Sequence, residues 1–147
     1  MIRNGKKIPG DVKNNVPLII KKLSADKEIT ALYVFGSLAR NDLKPLSDLD
    51  FGILLSNQLK KMDRFKKHLQ LIDIFCDTFH TDEIDIVLMN DAPLSFCHKI
   101  FRSGKLLLVN NKKALIDFHE HVVKKYLDFI YYKDQFDDCF LRGIGYR

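Results

Sequence analysis

The chain has 147 residues, enough for one domain with a real core and too short for two. With 46% hydrophobic and 29% charged residues it has the profile of a globular protein. No apolar run approaches the roughly 20 residues that span a bilayer, and no apolar leader follows Met1, so a cytoplasmic protein without a membrane partner is expected.

The net charge of +5 suits a partner carrying phosphate or carboxylate. Many lysines, among them Lys21, Lys22, Lys60, Lys61, Lys124 and Lys125, fall in predicted helices, where a solvated face explains them equally well. Cys76, Cys97 and Cys139 stand far apart and form no C-x-x-C pair, so zinc and disulfide frameworks are not expected.

In chain order, the polar start holds Gly5, Pro9 and Gly10, and a first helix runs to about Leu23 with Pro17 near its first turn. Ile29 to Phe35 is rich in β-branched and aromatic residues and reads as a buried strand ended by Gly36-Ser37. Leu38 to Asn41 suggests one helical turn, and Leu43 to Ser47 a loop. A second strand covers Asp48 to Leu55. A helix from about Leu59 to Phe79 follows, with Met62, Phe65, Leu69, Ile72 and Phe75 at helical spacing. Glu83 to Met89 is a third strand, after which Asp91 is expected to cap a helix opened by Pro93 and ended near Gly104. Lys105 to Val109 is a short strand. From Lys112 to about Phe140 one long amphipathic helix places Leu115, Phe118, Val122, Tyr126 and Phe129 on a single stripe. The pattern predicts one α+β domain over 1–147, with a core at about 12–110 and a C-terminal helix at about 112–140.

The informative motif is Gly36-Ser37, ten intervening residues, then Asp48-Leu49-Asp50. Two aspartates one residue apart on a strand share a face. Side by side they repel and raise each other's pKa unless a cation sits between them, and all-oxygen ligands favour Mg2+ over zinc. A glycine at the end of the neighbouring strand lets backbone N–H groups approach a phosphate, and the serine hydroxyl can help to cradle it. Asp85, flanked by Ile84 and Ile86, interrupts a third apolar strand and would add a carboxylate if that strand lies beside Asp50. The candidate catalytic and metal-binding residues are therefore Asp48, Asp50 and Asp85, with Gly36, Ser37 and Arg40 on the phosphates. The plain alternatives are a turn acid for Asp48, a strand-edge acid for Asp85, and solvated loop cations for Arg40 and Lys44. His119 and His121 are two apart and do not face each other on a helix, so no histidine metal site is expected.

The Gly36-Ser37, spacer and Asp48-Leu49-Asp50 pattern resembles the signature of the minimal (MNT-type) nucleotidyltransferases of the DNA polymerase β superfamily. The acid within Glu83-Ile84-Asp85-Ile86-Val87 is similar to that family's later carboxylate strand. Gly104 to Leu108 and the long terminal helix resemble the antitoxin branch, which pairs with HEPN-domain toxins. Asn41 departs from the glycine that members often carry there, although asparagine tolerates left-handed backbone.

This resemblance implies a small mixed sheet flanked by helices. It also implies Mg2+ as cofactor, ATP as co-substrate, and transfer of AMP to a tyrosine of a HEPN ribonuclease toxin, which silences it. The arginine–four residues–histidine–one residue–tyrosine pattern expected of the HEPN side is absent, so the chain would be the antitoxin. The competing readings are transfer to a small-molecule hydroxyl and a binding module that masks its partner without catalysis. Direct nucleic-acid binding is not expected, because no face interleaves basic and aromatic residues. The aromatics of the last helix allow either core packing or docking to a partner or second copy, so a homodimer is possible.

Overall fold

A computed structural model of the chain describes residues 12–36 and 49–145. Helix α1 (Val12–Ser24) leads into strand β1 (Ile29–Phe35), and β2 (Leu49–Leu55) precedes α2 (Lys61–Phe79). Strand β3 (Ile84–Leu88), α3 (Leu94–Ser103), β4 (Lys105–Val109) and α4 (Lys112–Gly143) complete the order. The described residues thus form a four-stranded sheet with helices on both faces, ordered β3-β2-β1-β4. Strand β1 is antiparallel to both β2 and β4, whereas β2 and β3 run parallel. The sheet is mixed and the class α+β, as the sequence predicts.

Strand alternation divides the core into two layers. Leu32, Val34, Leu49, Phe51, Ile53 and Ile86 face α1 and α2, where Ile19, Leu23, Leu71, Phe75 and Phe79 cover them. Phe51 lies at the centre, its ring 4.8 Å from Phe75 and 5.5 Å from Phe79. On the other face Ala31, Tyr33 and Leu54 meet Cys97 and Ile100 of α3 and Leu115 and Val122 of α4. Gly52 lies under α3: a Cβ there would come 3.2 Å from Ile100 Cδ1.

Several local expectations shift. Pro17 sits inside α1 rather than in its first turn. In α2 the buried positions are Leu71, Phe75, Thr78 and Phe79. Met62, Phe65 and Leu69 occupy the adjoining face and are exposed, since the helix needs only one stripe against the sheet. Asp91 does not cap α3, whose N-cap position is Pro93 and which has no side-chain cap. It accepts two hydrogen bonds from Arg64 instead, at 2.7 and 3.0 Å, and the guanidinium holds its carboxyl below the usual range. Gly104 does close α3, donating its N–H to Ile100 O in extended rather than left-handed backbone. Its need for glycine is steric, because a Cβ would press on the carbonyls of Ile100 and Val34.

Asn90 extends the ladder past the end of β3: Leu55 N–H donates to its Oδ1, and its Nδ2 donates to Leu55 O. Asn110 does similar work after β4, donating to the carbonyls of Leu23 and Asp26 and so tying the α1–β1 turn to the sheet edge. No helix among the described residues is long and apolar enough to cross a membrane.

Phe75→Ala is expected to lower the unfolding free energy by about 3–5 kcal/mol, read from denaturant melts, because it opens a cavity beneath Phe51. The thiols give a second check. Cys97 is fully buried and burial pushes its pKa up to about 11, whereas Cys139 is exposed. At mildly alkaline pH a thiol reagent should label Cys139 rapidly and Cys97 only after unfolding; early modification of Cys97 would contradict this packing.

Candidate active site

The site is built where three strands come level at one end of the sheet. Phe35, the last residue of β1, is in register with Asp50 of β2, and Asp50 with Asp85 of β3. Register partners on adjacent strands lie about 5 Å apart with side chains on the same face. Leu49, Phe51, Ile84 and Ile86, the chain neighbours of the two aspartates, are all buried in the α1–α2 layer. Alternation therefore directs both carboxylates to the α3–α4 face. Asp50 is half-buried and Asp85 exposed, a graded pair running from the sheet centre to its edge.

Gly36 completes the row. Its φ of +71° is left-handed, a region that favours glycine, and a Cβ there would overlap Asp50 Oδ2. The glycine is thus required twice over, once by the backbone and once by the carboxylate against it. Only the first requirement is legible in a strand followed by Gly-Ser; the second needs the register. Phe35 is held from the α3 side by Phe96, with ring centroids 5.7 Å apart and the planes nearly perpendicular.

Ser37, Arg40, Lys44 and Asp48 lie outside the described residues. Of the six residues singled out from the sequence, the structure therefore brings together Gly36, Asp50 and Asp85. Among the described residues no three His, Cys, Asp or Glu side chains are grouped to hold a metal. The carboxylate pair supplies oxygen donors only, and the missing Cβ of Gly36 lets the Asp50 carboxylate lie against the end of β1. That is the donor chemistry a hard divalent cation requires.

A cavity of about 490 Å³ opens beside the free edge of β3, lined among others by Phe65, Val87, Pro93 and Phe96 with Lys61 and His68. Phe96 is shared between this cavity and the aromatic contact beside Gly36. His68 has a structural partner here: its Nε2 lies 2.8 Å from Ile86 O on the outer edge of the strand. Sequence reading does not find this cavity, since Phe65 and Phe96 come from different helices and no local pattern links them.

Residues 18–113 match the family described as Polymerase beta, Nucleotidyltransferase. No curated protein matches the sequence. Among solved structures, a chain from a toxin–antitoxin crystallised with AMP-PNP is 22% identical, with a TM-score of 0.65 over 86% of this chain and 98% of that one. A chain from the complex of tri-AMPylated Shewanella oneidensis HEPN toxin with MNT antitoxin is 20% identical, with a TM-score of 0.59 over 88% and 98%. A chain from the MntA–HepT toxin–antitoxin is also 20% identical, with a TM-score of 0.60 over 88% and 98%. At these identities the likeness is one of fold.

Gly36→Ala isolates the contact at the centre of the row. Left-handed backbone alone costs a non-glycine residue about 1–2 kcal/mol, and the methyl group must also displace the Asp50 carboxylate. The variant should keep its helix and sheet content by circular dichroism while Mn2+ binding, followed by electron paramagnetic resonance, weakens roughly tenfold or more. Unchanged Mn2+ affinity would detach Gly36 and Asp50 from cation binding.

Proposed function

Because the chain belongs to the Polymerase beta nucleotidyltransferase family, we propose that it is a Mg2+-dependent adenylyltransferase, the antitoxin partner of a HEPN ribonuclease toxin in the cytoplasm. It moves AMP from ATP to a toxin tyrosine and so neutralises the toxin. The observation that carries this reading is the row of Gly36, Asp50 and Asp85 at one end of the sheet. Supporting it, chains of the same fold come from toxin–antitoxin structures, one with AMP-PNP and one with a tri-AMPylated HEPN toxin. Another neighbour of the same fold comes from a toxin–antitoxin variant in which two aspartates one residue apart are glutamate, the spacing of Asp48 and Asp50.

In this reading Asp48, Asp50 and Asp85 hold Mg2+, and Gly36, Ser37 and Arg40 hold the triphosphate. Bound Mg2+ supplies positive charge that offsets the charge of the phosphates and of the leaving pyrophosphate. A tyrosine hydroxyl has a pKa near 10 and must lose its proton to attack at neutral pH. In this reading Asp85, the exposed member of the pair, accepts that proton. The phenolic oxygen then bonds to the α-phosphorus as the bond to the bridging oxygen of pyrophosphate breaks, in line. Asp50, lying against Gly36, orients the nucleotide end of the site in this reading. Phe35 and Phe96, packed edge to face beside it, exclude water from one side.

The test is the intact mass of the neighbouring gene product after incubation with this chain, Mg2+ and ATP. AMP-sized increments are expected with the native chain and none with Asp50→Ala or Asp48→Ala. Tight binding of the two proteins without any mass change would make the chain a masking antitoxin. Neither binding nor transfer would move the acceptor to a small-molecule hydroxyl.

A further inference from the structure

Strand β3 ends the sheet on one side, and its outer edge runs through the cavity beside the candidate site. In the parallel ladder Leu49 N–H donates to Glu83 O and Met89 N–H to Ile53 O. The odd-numbered residues of β3 therefore pair with β2, and Ile84, Ile86 and Leu88 turn their backbone groups outwards. Two of the outward carbonyls are engaged, Ile86 O by His68 and Leu88 O by Asp91 N–H. The N–H groups of Ile86 and Leu88 have no acceptor among the described residues. Both residues are buried, and the walls beside them include the apolar side chains of Phe65, Pro93 and Phe96. Two aligned donors in an apolar cavity are costly to leave unpaired. The cavity therefore suits a guest that brings carbonyl oxygens together with apolar surface.

Three further observations point to the occupant. The first is repeat distance. Val87 lines the cavity, and Asp85, two residues earlier, faces the same side of the sheet about 6.6 Å away along the strand. An extended polypeptide laid along β3 has the same repeat. When one of its side chains enters the cavity level with Val87, the side chain two positions away stands level with Asp85. The second is the rim. Phe65 stands at the mouth of the cavity, and Met62 and Leu69 continue its stripe along α2. These three are 58%, 65% and 51% exposed. A small molecule in the cavity would leave them bare, whereas a protein that carries the segment covers them. The third is shape. Walls from α2 and α3 stand on both sides of β3 and recess it. The β3 of a second copy is recessed in the same way and cannot reach it, while a single extended segment can enter.

We propose that the edge of β3 is where the acceptor protein docks, by laying an extended segment along it. Carbonyl oxygens of the segment accept from Ile86 and Leu88 N–H. An aromatic or branched apolar side chain fills the cavity beside Val87 and Phe96, and the tyrosine two positions away meets Asp85. This is strand addition, in which main-chain hydrogen bonds give affinity and pockets for alternate side chains give specificity. The mode rests on the reading of the chain as a protein adenylyltransferase. It adds to that reading that the acceptor is recognised through its backbone and one neighbour of the tyrosine.

The experiment is amide hydrogen exchange of the full chain, read residue by residue by NMR, with and without the neighbouring gene product. Mg2+ and α,β-methylene ATP, which cannot release AMP, are present throughout. In the chain alone, Ile86 and Leu88 should exchange fast between the slow amides of Asp85, Val87 and Met89. In the complex both should slow roughly tenfold or more. In transfer assays with ATP, Phe65→Asp should raise the KM for that protein roughly tenfold and leave Mn2+ affinity and kcat near native. Phe65→Leu should keep the native KM. Phe65 is exposed, so neither variant disturbs the core. Peptide fragmentation should place AMP on a tyrosine with an aromatic or branched apolar residue two positions away. Slow exchange of Ile86 and Leu88 in the chain alone would show the edge covered by this chain itself or a second copy, and would overturn the proposal. Equal transfer by native chain and Phe65→Asp, with both amides still fast, would overturn it and leave the adenylyltransferase reading standing. Mn2+ binding without transfer to any protein would remove that reading and this one together.

Discussion

The position of every group at the candidate site depends on the register of β2, and that register is fixed by Phe51. A strand that slips by one residue turns all its side chains to the opposite face. In β2 such a slip would push Asp50 into the apolar layer under α2 and bring Phe51 out beside Gly36. The ring of Phe51 is fully buried between Phe75 and Phe79, and no charged group fits that place. The aromatic cluster on one side of the sheet thus holds the carboxylate on the other. It acts at one residue's distance along the chain, which is why a core substitution there is also a substitution at the site.

The second carboxylate is brought in by topology. β2 and β3 are parallel, so the chain must cross over between them, and α2 makes that crossing on the Phe51 side. Two ties outside the ladder steady the result. Asn90 pairs its side-chain amide with both backbone groups of Leu55 at one end of β2. His68 of α2 engages Ile86 O on the outer edge of β3. The second tie also occupies one acceptor on an otherwise open strand edge, a position that invites pairing with another chain.

Much of this was legible in the residues because the signals were local. The β-branched and aromatic run of β1, the acids that interrupt apolar strands at Asp50 and Asp85, and the stripe of α4 each carry their own periodicity. The sequence failed where a partner lay far along the chain. Asp91 looks like a helix cap until Arg64 reaches it from another helix. Phe65 and Leu69 read as core because their spacing is helical, yet spacing cannot say which of two adjoining stripes meets the sheet. Gly36 showed its need for unusual backbone but not its contact with Asp50, which only strand pairing creates. Asp48 and Ser37 remain sequence expectations, tied to the row by their one-residue distance from Leu49 and Gly36.

The two ends of α4 pose a problem that the body alone does not solve. From Leu127 outward the helix is rich in aspartate, phenylalanine and tyrosine, which are weaker helix formers than alanine, leucine or lysine. An isolated segment of that length is marginal in water even with the best residues. Helices in proteins owe most of their stability to the burial of an apolar face, and the inner half of α4 has that support from the sheet and α3. The outer half has in its place the Phe136–Phe140 stack and the Lys133–Asp137 pair at 3.1 Å, contacts that contribute only about 0.2–0.5 kcal/mol each. Fixing the backbone of each residue costs about 1–2 kcal/mol, which the helix hydrogen bond gained per residue only about offsets, so these pairs leave the arm marginal by itself. The stripe continues the buried one and is broken in its middle by Lys133, whose charge any covering surface must accommodate. The order of the outer half and the occupancy of its stripe are therefore one question, and a partner that buries Phe129 and Phe136 stabilises the helix by the same contact.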